Sequence, residues 1–290
     1  MLSCTDNEEG DTETFEVDLG GITWEAGKAY TYNITINPQG YVEQYLTFVA
    51  LQSGTFSFSK AGLSYSLNGG ETWTALSAGA STPTIAAGDS IMWKNRMTLT
   101  PSSSTGIGQF SSTGNFDAKG NIMSLYYGDN FSRQKDLSGK NYAFAALFRE
   151  CSKLYNAENL VLPATTLSER CYYIMFYKCT NLTVAPKLPA KTLTNYCYMQ
   201  MFLNCTNLTA APELPAIRLN YESYHNMFGE CKNLRYVKAA FTTVPGNNYT
   251  RNWLENVSST GTFYKNAAAT WTTTGTSAVP SGWTVVRYTP

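Results

Sequence analysis

Six of the seven cysteines fall inside one stretch of the chain, at positions 151, 171, 179, 197, 205 and 231. Thiols can hold a metal, attack a substrate or pair as disulfides, and their spacing decides which. Here the steps between 171, 179, 197 and 205 alternate between 8 and 18 residues, and no Cys-x-x-Cys occurs, so neither a zinc site nor a redox motif is supported. The single histidine, His225, excludes a His-rich metal centre and argues against a catalytic triad. It is expected on the outward side of its segment as a surface residue. No Gly-rich phosphate loop, nucleophile elbow or pair of carboxylates at glycosidase spacing stands out. No catalytic residue, cofactor or metal ligand is assigned, and an enzyme is not expected.

The cysteines mark a repeat instead. An apolar-Phe-x-x-Cys core recurs as Leu147-Phe148…Cys151, Met175-Phe176…Cys179, Met201-Phe202…Cys205 and Met227-Phe228…Cys231, the cysteines 28, 26 and 26 residues apart. A leucine follows three residues after each one (Leu154, Leu182, Leu208, Leu234). Self-similarity at this period is the signature of a stacked solenoid. Phe148, Phe176, Phe202 and Phe228 then form one interior column, and Cys151, Cys179, Cys205 and Cys231 another. Both read as structural ladders, with the thiols free, small and apolar.

The composition outlier is tyrosine, with 20 copies. Tyr172, Tyr198 and Tyr224 fall on core positions. Tyr173, Tyr177, Tyr196 and Tyr221 lie nearer the exposed face, where rings could stack on a sugar or a partner protein. The alternative is that these long rings cover the thin walls of a short solenoid.

The elements that position these residues follow from periodicity. In residues 192–202, Leu193, Cys197, Tyr198, Met201 and Phe202 approximate helical spacing, and the neighbouring copies repeat it. A short strand fits Asn207–Pro212, and prolines 186, 189, 212 and 215 turn the chain toward the next coil. Each coil is therefore expected to hold a strand, a corner and one short helix.

Upstream, residues 15 to about 131 alternate with period two between Gly, Ser and Pro turns. Tyr30, Tyr32, Ile34 and Ile36 make one strand pattern. Leu46–Ala50 and Thr55–Phe58 flank Gln52-Ser53-Gly54 as a short hairpin, and Asn68-Gly69 is a strong hairpin signal between Leu63–Leu67 and Thr72–Thr74. Further strands fit Ile91–Trp93, Gly108–Ser112 and Ile122–Tyr127. The expected fold class is multidomain α+β. Residues 1–14 form a disordered acidic lead and 15–135 an all-β sandwich-like domain. Residues 136–239 make a leucine-rich repeat solenoid of four coils, and 240–290 a β-rich C-terminal cap, where Trp253, Phe263, Trp271 and Trp283 fall.

Five resemblances accompany these readings. The Met-Phe-x-x-Cys-Thr-Asn-Leu and Ala-Pro-x-Leu-Pro-Ala phrases resemble the BspA-like leucine-rich repeat surface proteins of Bacteroidetes, over residues about 141–290. The first copy departs, with Ala143 where later copies have cysteine. Residues 21–32 resemble the closing strands of fimbrillin-like domains, and Ser66–Trp73 resembles a single Asp-box with Asn68 at the aspartate position. The opening Met1-Leu2-Ser3-Cys4 resembles the tail end of a lipoprotein signal, which makes Cys4 the lipidation candidate. The acidic residues after it resemble the lead of Bacteroidetes surface lipoproteins.

The first resemblance implies a non-catalytic, surface-anchored or secreted adhesion protein, a platform for a host or extracellular protein or for a glycan. The alternative is a glycan-binding accessory protein of a polysaccharide-uptake system, with the β unit as its glycan module. A monomer is expected. The 21 basic and 21 acidic residues cancel, which argues against nucleic acid and against an anionic membrane face. Membrane association is expected only through a lipid on Cys4, since no apolar run reaches the roughly 18 to 20 residues a spanning helix needs.

Overall fold

A computed structural model describes residues 2–5, 12–15 and 44–290 apart from 104 and 247. The strand expected around Tyr30–Ile36, the fimbrillin-like segment 21–32 and most of the acidic lead lie outside the described residues. Strands β1 (Leu2–Thr5) and β2 (Thr12–Phe15) pair antiparallel and belong to a unit of residues 1–43.

The second unit, residues 44–290, begins with a sheet built from β3 (Leu46–Ala50), β5 (Leu63–Ser66), β6 (Thr74–Leu76), β7 (Ser90–Asn95) and β9 (Phe116–Asn121). A separate ladder joins β4 (Phe56–Phe58) to β8 (Phe110–Ser112). The period-two pattern explains the core: Leu46, Phe48 and Ala50 of β3 face inward with Ile91 and Trp93 of β7 and Phe116 and Ala118 of β9. Phe48 is the hub, its ring 4.9 Å from Phe110 and 4.8 Å from Phe116. The Asn68-Gly69 hairpin forms, pairing Leu63 with Leu76 and Tyr65 with Thr74. Asn68 Oδ1 takes the Thr72 N–H, and Trp73 Nε1–H donates to the Gly70 carbonyl, so the loop is folded back on itself.

Two local expectations are corrected. The Gln52-Ser53-Gly54 hairpin does not form: β3 pairs with β7 and β9, while β4 pairs with β8. Gly54 instead crosses against Gly114 so closely that a Cβ would stand 2.4 Å from the Gly114 nitrogen. The apolar run Ile122–Tyr127 is no strand but carries a single helical turn, α1 (Ser124–Tyr127). Ser124 fixes it, accepting the Leu46 N–H and donating to the Trp93 carbonyl. Short apolar runs do not separate strand from helix by periodicity.

The main correction concerns the repeat, where no helix per coil exists. The chain is mostly β among the described residues, and α1 is its single α-helical turn, beside one 3-10 turn at Gly128–Asn130. Each copy instead runs as consecutive tight turns. Arg170, Ile174 and Lys178 take positive φ, and so do Tyr196, Gln200 and Asn204 and then Glu222, Asn226 and Glu230. Alternate amides close turns within the copy, as Tyr173 N–H to Arg170 O and Met175 N–H to Tyr172 O. The amides between them reach the following copy, as Tyr172 to Cys197, Ile174 to Met199 and Phe176 to Met201. A helix would bond every amide beyond its first turn within its own segment. The sequence carries the distinction: Leu193, Cys197, Met201 and Cys205 repeat every four residues, without the drift that 3.6 per turn imposes. The buried column therefore stays in line only if the backbone also repeats every four residues.

The expected strand at Asn207–Pro212 reduces to a single bridge, Ala210 with Tyr236. Its prolines have no N–H to give a ladder. Strands appear at the two ends. β10 (Leu154–Asn156) and β11 (Leu160–Val161) pair parallel with β9, which ties the first copy into the upstream sheet. β12 (Tyr236–Ala239), β13 (Gly261–Asn266) and β14 (Trp283–Tyr288) form a parallel sheet. Between them the turn path recurs once more, with Asn252 and Asn256 at positive φ and the Tyr249, Arg251, Trp253 and Glu255 carbonyls accepting from the copy before. Trp253, Leu254 and Val257 stand where Met227, Phe228 and Cys231 stood, an apolar-apolar-x-x-apolar echo without the cysteine.

Candidate binding face

Stacking every copy in one register turns sequence positions into columns. The phenylalanine column runs Phe148–Phe176–Phe202–Phe228 with centroids 5.4, 5.2 and 5.5 Å apart and planes within 10° of parallel. Beside it Phe144, Tyr172, Tyr198 and Tyr224 stack in the same way, ending on Trp253. Cys179, Cys205 and Cys231 each donate Sγ–H to the carbonyl of a phenylalanine one copy back, at 2.9, 3.1 and 3.1 Å. All six cysteines of the repeat are free and buried. Burial pushes Cys151 up to about 11 and Cys197 and Cys231 up to about 12. Cys171, Cys179 and Cys205 rise well above the usual thiol range for the same reason. A thiol held protonated is neither nucleophile nor ligand.

The outer side of the turns carries the other candidates. Arg170 lies with its guanidinium carbon 3.9 Å from the Tyr196 ring centroid and 5.6 Å from that of Tyr142. Tyr196 in turn meets Tyr221 edge-to-face at 5.4 Å and 88°. Of this row Tyr221 is the most open, 44% exposed. Tyr196 and Tyr221 are thus brought together. Tyr173 and Tyr177 are half-buried in other columns, Tyr177 flanked by Arg149 at 5.9 Å and Lys178 at 5.2 Å. No ring contact among the described residues joins either one to the Tyr196–Tyr221 pair. The side chain of Cys4, in β1, lies outside the description.

His225 is not the surface residue its position suggests: it is 4% exposed. Its Nδ1 meets Glu222 Oε2 at 2.8 Å, and Arg251 Nε–H donates to Nε2 at 3.1 Å. With Nε2 accepting, the ring proton sits on Nδ1 and points at the carboxylate. The imidazole bridges two successive copies and has no nitrogen left for a substrate.

Just before Tyr221 in sequence, residues 217–220 line, with Lys191, Thr192 and Leu193, an open groove of about 350 Å³ between two corners of the stack. Neither Lys191 nor Arg218 forms an ion pair among the described residues. The nearest acids in sequence are engaged elsewhere, Glu213 by Lys238 and Glu222 by His225.

Two further aromatic clusters escape sequence reasoning because their members come from distant elements. On the β unit, Tyr45 O–H and Lys94 Nζ both donate to Asp129 Oδ1, at 2.6 and 2.7 Å, and Lys94 also lies 4.3 Å from the Trp73 ring centroid. The Lys94 and Tyr45 hydrogen bonds hold the Asp129 carboxyl below its usual range, while burial and then Asp129 push the Tyr45 phenol up. On the C-terminal sheet, Tyr236 packs 5.1 Å from Tyr264, and Lys238 bridges Glu213 and the Tyr288 ring. The Asp-box-like spacing at Ser66–Trp73 was the one sequence signal that pointed to any of these side chains.

Among the described residues no group of three or more His, Cys, Asp or Glu could hold a metal ion, and no helix is long and apolar enough to cross a membrane. Comparison with protein-family models, with curated proteins and with solved structures returns no match.

Proposed function

We propose that this chain is a non-catalytic cell-surface binding protein whose stacked turns form a platform for an extracellular protein or glycan. The observation that carries the reading is the row Tyr142–Arg170–Tyr196–Tyr221 on the outer side of the turns. Arginine and tyrosine are the residue types that dominate recognition hot spots. Here successive copies supply them in contact with one another, on a backbone hydrogen-bonded from one copy to the next. A platform ordered before binding loses little conformational entropy when its partner docks. The resemblance of the repeat phrases to BspA-like surface proteins supports the same reading, with attachment through a lipid on Cys4.

The test is an array of extracellular-matrix proteins and glycans probed with the whole chain and with the Tyr196→Ala/Tyr221→Ala double variant. Binding that falls about tenfold in the variant supports the reading, a loss of the size expected for a hot-spot pair. Binding that is unchanged, or absent throughout, overturns it.

A further inference from the structure

The groove lined by residues 217–220 carries features that a general binding platform does not need. Its two cations, Lys191 and Arg218, project from equivalent corners of successive copies and are both exposed. An unpaired lysine on a surface means little. Two in one concave site, with the local acids engaged elsewhere, leave an uncompensated positive field where a ligand would sit. The remaining lining is mixed: Thr192 offers a hydroxyl, Ile217 an exposed apolar side chain, and the buried Leu193 and Leu219 further apolar surface. Asn220 is already committed, its Nδ2–H donating to the Leu193 carbonyl and its Oδ1 accepting the Tyr221 N–H, which fixes the rim.

We propose that this groove binds an anionic saccharide, its carboxylate or sulfate held between Lys191 and Arg218 and the apolar face of a sugar ring lying against Ile217. The inference rests on the binding-platform reading and names its ligand class. The shape argues for a saccharide over an acidic peptide. The groove is open, and what it offers beyond charge is a hydroxyl and an apolar side-chain surface in place of the unpaired sheet edge that captures an extended peptide. The volume, about 350 Å³, lies within the range of small-ligand sites.

The experiment is titration calorimetry of the whole chain with four probes. They are a tetragalacturonate, a heparin-derived tetrasaccharide, a neutral galactotetraose and a hexapeptide of alternating Asp and Glu. The expected result is binding of at least one acidic saccharide, at least about tenfold weaker binding of the neutral one, and affinity that falls with added salt. Whichever acidic saccharide binds identifies carboxylate or sulfate as the group recognised. Lys191→Met/Arg218→Met should abolish the preference for the acidic sugar, and Ile217→Ser should weaken acidic and neutral sugars alike. Both sites are exposed, so the variants should keep the parent's thermal transition, which is measured alongside. Failure of both acidic saccharides, equal affinity for the neutral one, indifference to the double substitution, or tighter binding of the peptide would each overturn the proposal. If these probes fail while the array gives binding that depends on Tyr196 and Tyr221, the groove assignment alone falls. If the array is also silent, the platform reading falls with it.

Discussion

The thiol of Cys205 donates to the carbonyl oxygen of Phe176 across 3.1 Å, and that same oxygen accepts the Cys179 N–H at 3.0 Å. One lone pair closes the turn inside a copy and the other receives the next copy. The relationship repeats at Phe148 with Cys151 and Cys179, and at Phe202 with Cys205 and Cys231. A buried carbonyl with two acceptor sites is fully satisfied only if the neighbouring side chain is small and carries a donor, yet costs little to bury. Cysteine meets all three conditions.

Cys205→Ala should therefore cost more than its one sulfur suggests, about 1 to 2 kcal/mol, from a small cavity and a carbonyl left with one partner. The urea midpoint of the variant reads this directly. An unchanged midpoint would mean the thiol contributes nothing beyond filling space.

Because burial raises the thiol pKa values, stability must fall in alkali. The folded state keeps Cys197 and Cys231 protonated to about 12, whereas an unfolded thiol ionises near 8.5. Above that lower value the unfolded state holds fewer protons, so stability declines as pH rises, by up to about 1.4 kcal/mol per pH unit for each such thiol. Below it the contribution is fully present. Urea midpoints at pH 8 and pH 10.5 should differ accordingly, and in a Cys4→Ala background the six repeat thiols of the native protein at pH 8 should leave a thiol reagent unreacted until denaturant is added. Fast labelling of native protein would contradict the burial.

The column of Phe176, Phe202 and Phe228 makes a further prediction. Phe202 is fully buried with rings 5.2 and 5.5 Å away on either side. Phe202→Ala should cost about 3 to 5 kcal/mol, the usual range for emptying such a site. Calorimetry should show one transition lowered as a whole, since each copy completes the hydrogen bonds of the one before. Cutting the chain after Val237 should do comparable damage, because Tyr224 and Phe228 lose Trp253 and β12 loses β13. A truncated chain that melts like the parent would show that residues 238–290 support nothing upstream.

What was legible in the sequence, and what was not, follows from how far each cue reaches. The repeat, its Phe and Cys columns and the strands around Phe48 and Trp93 rest on local periodicity. The aromatic positions on the outer turns could be listed, but not their partners: Arg170 reaches Tyr196 only because the copies stack in register. His225 was misplaced for the same reason, since Glu222 and Arg251 close over it from its own copy and the next. The helix assignment failed on a finer point. Apolar residues at i and i+4 suit a helix over two turns, and only the third recurrence separates a period of 4.0 from one of 3.6. The echo at Trp253-Leu254…Val257 lacks the cysteine, so the Phe-x-x-Cys pattern alone does not reveal it.

The backbone itself offers the sharpest test of turn against helix. Lys178 has φ of 56°, in the left-handed region, and its side chain is 49% exposed, with a 4.0 Å ion pair to the half-exposed Glu150 and the Tyr177 ring 5.2 Å away. That pair is worth little in solvent. In a helix interior, Gly in place of Lys would cost roughly 0.5 to 1 kcal/mol. Here the balance reverses, because a residue with a Cβ at positive φ is strained by about 1 to 2 kcal/mol and glycine is not. Glycine's larger loss of chain entropy offsets part of that gain, leaving Lys178→Gly neutral to about 1 kcal/mol more stable. Asn204, at φ 65° in the equivalent column, should gain less from the same change, since asparagine already tolerates the conformation. The pair of urea midpoints decides the matter. A Lys178→Gly variant destabilised by about 1 kcal/mol would restore the helix and remove the turn stack.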